Sequence, residues 1–201
     1  MKKNMISLVA LGLSLTLLTG CGASSEKETV TTAPSEATEA TLPTSLTLGA
    51  TLPELSFTDG EGKTVSVQSL LEEKKLVVLN FWFADCGWCR KEFPVMEVAY
   101  QQYRQDVEIL AINPYDSEAA IAAFQKENSL SFPMLSCSEE LARVFGVNGY
   151  PTSVCIDREG KISMIHAGAI TDAEVFTRLF ETYTSPDYRS RVYNSIYEIM
   201  E

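Results

Sequence analysis

The chain has 201 residues, 45% of them hydrophobic, which suffices for one domain with appendages and a sizeable core. Its formal net charge of −11 and the lack of a basic patch exclude nucleic acid as a partner, and exclude roles that depend on attraction to anionic lipid. The acidity itself reads as solubility, and the sequence shows no internal repeat.

Met1 to Gly20 has the composition of a targeting signal: Lys2 and Lys3 precede an apolar run of 13 residues, Ile6 to Leu18. That run is shorter than the about 20 residues a membrane span needs. Leu18-Thr19-Gly20-Cys21 follows it and looks like a bacterial lipobox, in which the cysteine is lipidated and becomes the mature N-terminus. A plain secretory signal or an uncleaved anchor is the alternative. Gly22 to Ser45 is rich in Ser, Thr, Ala, Glu and Pro and lacks aromatic residues. Such a segment buries too little apolar surface to offset the entropy of ordering, so residues 21–45 are expected to form a lipidated tether. As a flexible coil it would span roughly 25–30 Å, holding the domain near the membrane.

The globular part is expected to run from Leu46 to Ser185, with a C-terminal helix over 186–201. Leu55 to Phe57 and Thr64 to Val67 read as short strands around the turn Asp59-Gly60-Glu61-Gly62, with one or two helical turns over Gln68 to Glu73. The apolar run Leu76 to Phe83 is short, partly β-branched and aromatic, as in a buried strand. A helix follows to about Gln105, with Phe93, Met96, Tyr100 and Tyr103 at core-facing spacing and Pro94 inside. Val107 to Ile112 is the next strand and closes a right-handed βαβ unit with parallel strands. Asp116 or Ser117 can cap a helix to about Glu127 that turns Ile121 and Phe124 inward. Phe132 to Leu135 reads as a short strand, and Glu139 to Phe145 as a helix closed by Gly146. Thr152 to Ile156 and Lys161 to Ile165 form an antiparallel hairpin pattern. Thr171 to Glu174 matches a capping box before Phe176, Leu179, Phe180 and Tyr183, and Ser185-Pro186 would start the last helix.

The chemistry centres on Cys86-Gly87-Trp88-Cys89, where strand gives way to helix. A cysteine at a helix N-terminus meets unpaired backbone N–H groups and the positive end of the dipole, which stabilise the reactive thiolate. Cys89 lies about one turn further on, so a disulfide between the two can close and be reopened by an incoming thiol. The other reading of a CxxC, half a zinc site or a copper carrier, needs further ligands. Cys137, Cys155 and His166 are scattered without ligand-like spacing. Cys155 alternates within a strand as a small buried hydrophobe, Cys137 could pair with it, and His166 ends a strand at the surface. Trp82 reads as core or site wall, and Trp88 as exposed and substrate-facing or simply a surface residue.

Four pieces of the chain resemble the thioredoxin superfamily, and within it the TlpA/ResA-type membrane-tethered thiol–disulfide oxidoreductases. They are Gly49-Ala50-Thr51-Leu52-Pro53 with the hairpin after it, Leu79-Asn80-Phe81-Trp82, the CxxC with Pro94 at the helix-kink offset, and Gly149-Tyr150-Pro151-Thr152. The resemblance covers roughly Gly49 to Tyr183. It implies an α/β thioredoxin-like fold, a central mixed β-sheet flanked by helices, with an N-terminal β-hairpin addition. It also implies that Pro151 is cis and lies beside Cys86, which puts Tyr150 and Thr152 on the substrate side. Cys89-Arg90-Lys91-Glu92-Phe93-Pro94 is similar to the ResA-type pattern in which a glutamate at this offset tunes the thiols, against the plainer reading of Glu92 as a solvated helix residue.

The implied mechanism has Cys86 attack a substrate disulfide and Cys89 resolve the mixed disulfide. No metal or organic cofactor enters. The implied partners are disulfide-containing exported proteins, such as apocytochrome c or an extracytoplasmic sulfoxide or peroxide reductase, and a CcdA-type membrane reductase as electron donor. The Gly-Trp dipeptide, with no histidine beside Cys86, and the roughly 36 residues between Pro114 and Gly149 lean toward a reductant. A disulfide-forming oxidant or isomerase on the same fold is the alternative, and a metal-binding module the third reading.

Overall fold

Two packed layers of apolar side chains, one on each face of a single five-stranded sheet, organise the chain. The structure, a computed structural model, describes residues 43–59 and 62–192. The expected targeting signal, Cys21, most of the tether, Gly60 and Glu61 of the first turn and the end of the last helix lie outside the described residues.

In chain order the elements are β1 (Ser56–Thr58), β2 (Thr64–Ser66), α1 (Val67–Glu73), β3 (Leu76–Phe81), α2 (Gly87–Tyr103), β4 (Val107–Asn113), α3 (Glu118–Glu127), β5 (Met134–Ser136), α4 (Glu139–Val144), β6 (Thr152–Asp157), β7 (Ile162–Ala167) and α5 (Ala173–Thr184). β1 and β2 pair as a separate antiparallel hairpin, and the main sheet has the order β5-β4-β3-β6-β7. β3 runs parallel to β4 and antiparallel to β6, so the sheet is mixed and β3 lies at its centre, buried along its whole length. A strand covered on both faces reads as a continuous apolar run, which is why Leu76–Phe81 shows no alternation.

Side chains alternate between the two faces of a strand. Leu76 and Val78 of β3, Val107, Ile109 and Ala111 of β4 and Cys155 of β6 pack with α2, α3 and α5. Val77, Leu79, Phe81, Leu110, Ile112, Val154 and Ile156 pack with α1, α4 and the hairpin residue Phe57. On the first face Phe93 touches the rings of Trp82, Phe124 and Phe132, with centroids 5.2–5.8 Å apart. Phe93 is fully enclosed, so Phe93→Ala is expected to cost about 3–5 kcal/mol, read as a lower denaturant midpoint at unchanged slope.

Several boundaries differ from the expectation, each for a local reason. The central strand ends at Phe81 rather than Phe83, although the Trp82 amide still donates to Ile112 O at 3.0 Å. Of the two residues expected to cap α3 it is Ser117 that does so, because Asp116 accepts from the Ala84 amide. Asp172 rather than Thr171 caps α5, accepting from the Glu174 amide. Ser185 is the C-cap of α5, so Ser185-Pro186-Asp187 is a turn. The next helical residues begin at 188, with the Asp187 carbonyl accepting from the Arg191 amide.

Candidate active site

Cys86 is the N-cap of α2, and its Sγ accepts the Cys89 amide proton at 3.1 Å. The two cysteines form a disulfide with Cα atoms 5.3 Å apart. Cys86 is 6% exposed and Cys89 fully buried, so the sulfur an outside disulfide can reach is that of Cys86. The amide bond to Sγ and the 17-residue helix behind it both favour negative charge on Cys86.

The turn before the pair is fixed from two sides. Asp116 accepts the Ala84 amide at 2.7 Å and the Asn113 side-chain amide at 2.8 Å, while Asn113 Oδ1 in turn takes the Tyr115 and Asp116 amides. Arg90 donates from Nε to Ala84 O at 2.7 Å and lies over the Phe124 ring. The end of β4 thus anchors the backbone that presents Cys86.

The Tyr150–Pro151 bond is cis. Tyr150 stacks edge-on against Phe83, three residues before Cys86, with centroids 5.4 Å apart. Tyr115 completes a triangle of rings and is itself 55% exposed. Trp88 stands out from the surface between the cysteines, with Lys91 Nζ over its ring. Phe83 O accepts the Cys86 amide at 3.1 Å and Trp88 lies between the cysteines, so these rings flank the redox pair as an aromatic rim. Tyr115 was not singled out from the sequence, since a Pro-Tyr-Asp loop carries no periodic signal. Thr152 is turned inward: its hydroxyl donates to Gly149 O at 2.8 Å, so the side chain braces the proline loop. Trp82 is buried behind the site.

Glu92 is fully enclosed, not solvated beside Arg90 and Lys91. Its Oε2 accepts from Asn80 Nδ2 at 3.0 Å and its Oε1 from the Ile170 amide at 2.9 Å. Burial pushes its carboxyl up to about 7, against the two hydrogen bonds that favour the charged form. Gly168, at φ 108°, takes a left-handed conformation open to glycine and donates to Pro151 O at 2.9 Å. The segment that follows it carries the Ile170 amide onto Glu92, so one short stretch ties the proline loop to the buried carboxyl.

The other cysteines are unpaired. Cys155 is buried on the α2 face of the sheet, while Cys137 packs on the opposite face, so the Cys137–Cys155 pairing considered from sequence does not form. Burial pushes the Cys137 thiol up to about 12 and raises that of Cys155 further. His166 is half-buried on β7. Among the described residues no group of three or more His, Cys, Asp or Glu could hold a metal ion, and no helix is long and apolar enough to cross a membrane.

Comparison with known proteins agrees with this geometry. The AhpC/TSA family matches residues 48–165, more than half of the chain. The thiol-disulfide oxidoreductase ResA of Bacillus subtilis is 32% identical over 133 residues, which are 65% of this chain and 73% of ResA. The crystal structure of StoA from Bacillus subtilis superposes with a TM-score of 0.53 at 26% identity, over 66% of this chain and 97% of StoA. A thiol:disulfide interchange protein of the thioredoxin family from Chlorobium tepidum shares the fold, with a TM-score of 0.60 at 23% identity over 69% of this chain and 99% of that one. With a redox-ready CxxC at the mouth of such a fold, the chain belongs to the AhpC/TSA family of thioredoxin-like proteins and is a thiol–disulfide oxidoreductase of the ResA type.

Proposed function

We propose that this protein reduces disulfides in exported proteins on the outer side of a bacterial membrane, to which a lipid on Cys21 tethers it. The observation that carries the reading is the asymmetry of the pair, with Cys86 at the helix tip and Cys89 sealed beneath it. The signal-like start and the Leu18-Thr19-Gly20-Cys21 sequence support the location.

In the reduced protein the Cys86 thiolate attacks one sulfur of the substrate disulfide. A mixed disulfide forms, and the departing substrate thiolate takes up a proton. Cys89 then gives its proton to the Glu92 carboxylate and attacks Cys86 Sγ, expelling the second substrate thiolate, which is protonated in turn. Two electrons have moved from the dithiol to the substrate, and the two protons the substrate thiolates take up are matched by the one Cys86 released on ionising and the one Cys89 gave to Glu92. The Pro151 loop and the aromatic rim of Trp88, Tyr150, Phe83 and Tyr115 hold the substrate chain across Cys86. A membrane dithiol protein of the CcdA type would return the electrons. Exported apocytochrome c, or an extracytoplasmic sulfoxide or peroxide reductase, has the disulfide this step needs.

The reduction potential decides the direction of flow. Equilibration of the Cys86–Cys89 couple against glutathione is expected to give a value at or below about −200 mV, as for reductants. A value of about −120 mV, as in strong oxidants, would reverse the proposed direction.

A further inference from the structure

Asn80 is fully buried in the middle of β3, where an amide side chain needs a reason to be. It shares the α2 face with Leu76 and Val78 and stands opposite Ser153 in the β3–β6 register. Its Nδ2 donates to Glu92 Oε2 and to Ser153 Oγ, each at 3.0 Å. Its Oδ1 is buried and has no hydrogen-bond partner among the described residues. Glu92 Oε1 is already taken by the Ile170 amide, so a proton arriving at Glu92 settles on Oε2, the atom that faces Asn80.

An amide that only donates there would then oppose a carboxyl O–H with an N–H. Turning the side-chain amide about its last bond instead presents Oδ1 to that O–H. Ser153 accommodates both orientations, because a hydroxyl accepts from Nδ2 in one and donates to Oδ1 in the other. With the carboxylate, the structure leaves one acceptor unpaired; with the acid, the turned amide would leave its NH₂ unpaired. Buried N–H donors are left unpaired more rarely than a buried carbonyl oxygen, so the arrangement favours the charged form.

We propose that Asn80, steadied by Ser153, is a positioning residue that sets the protonation of Glu92 and thereby its readiness to take the Cys89 proton. The inference rests on the proposed role of Glu92 in the resolving step. Among the described residues Glu92 accepts from the Asn80 side chain and the Ile170 amide, with Ser153 behind Asn80. Cys89 lies one turn back on α2, β3 and β6 present Asn80 and Ser153, which do not ionise near neutral pH, and the segment after β7 presents the Ile170 amide.

The test is a ¹³C-carboxyl NMR titration of Glu92 in the oxidised protein, its resonance assigned by its loss in Glu92→Gln. In Asn80→Leu the midpoint is expected to rise by about one pH unit or more, since a donor to the charged form is lost. In Ser153→Ala a rise of about half a unit is expected. A purely structural role for Asn80 would lower stability and leave the midpoint in place, and a folded Asn80→Leu with an unmoved midpoint overturns the inference. If Asn80→Leu does not fold, Ser153→Ala carries the same decision. The proposed function is read separately, from the pH profile of disulfide reduction. Glu92→Gln removes its Glu92-dependent limb if Glu92 takes the Cys89 proton, and an unchanged profile overturns that role whatever the titration shows.

Discussion

Cys89→Ser is expected to convert the protein from a catalyst into a trap. The reduced variant keeps the Cys86 thiolate at the helix tip and still attacks a substrate disulfide. The serine hydroxyl cannot resolve the adduct, so the mixed disulfide accumulates. Turnover should fall to the background of uncatalysed exchange, while a covalent adduct appears on a non-reducing gel and vanishes with dithiothreitol. Cys86→Ser should lose turnover and give no adduct, because the remaining thiol is sealed beneath the surface. Adducts through Cys89 in that variant would reverse the assignment of the two sulfurs. Identification of the trapped protein by mass spectrometry also names the substrate.

The second large effect is on stability and depends on pH. In the folded protein burial pushes the Glu92 carboxyl up from 4.5 to about 7. Below about 4.5 the carboxyl is protonated in folded and unfolded chains alike and costs nothing. Between there and about 7 the folded state holds the proton more tightly, so stability falls as pH rises. Above about 7 the full penalty is present, of the order of 3 kcal/mol. Glu92→Gln keeps the shape without the charge. It should therefore unfold at a higher urea concentration than the parent at pH 8, with a gap of up to about 3 kcal/mol that closes by pH 4. Both forms must be compared with the disulfide intact. An equal gap at both pH values would mean that packing, not the buried charge, separates them.

What was legible in the sequence is what local pattern carries. The βαβ unit shows in one apolar run, one helical stripe and a second run, and the redox pair shows in its place between them. The helix caps were legible only to within a residue, because side chains able to cap stand next to each other, as in Asp116-Ser117 and Thr171-Asp172. The burial of Glu92 was not legible. Its chain neighbours Arg90 and Lys91 suggest a wet helix face, and the groups that enclose it come from 12 residues before and 78 residues after. The inward turn of Thr152 and the role of Asp116 in holding Ala84 are likewise contacts between distant segments. Periodicity reports which face of an element is apolar and is silent on which polar groups meet across the fold.

The sheet that separates Cys137 from Cys155 also sorts the thiols of this chain. Four of the five cysteines lie among the described residues, and a chain with so many could join them wrongly while it folds in an oxidising medium. Cys155 is buried on the face that α2, α3 and α5 cover and Cys137 lies on the other side of the strands, so neither can meet the other once the sheet has formed. Both thiols are also held well above the usual cysteine range, which keeps them poor nucleophiles toward the reactive pair. The folded protein thus confines disulfide chemistry, among the described cysteines, to Cys86 and Cys89.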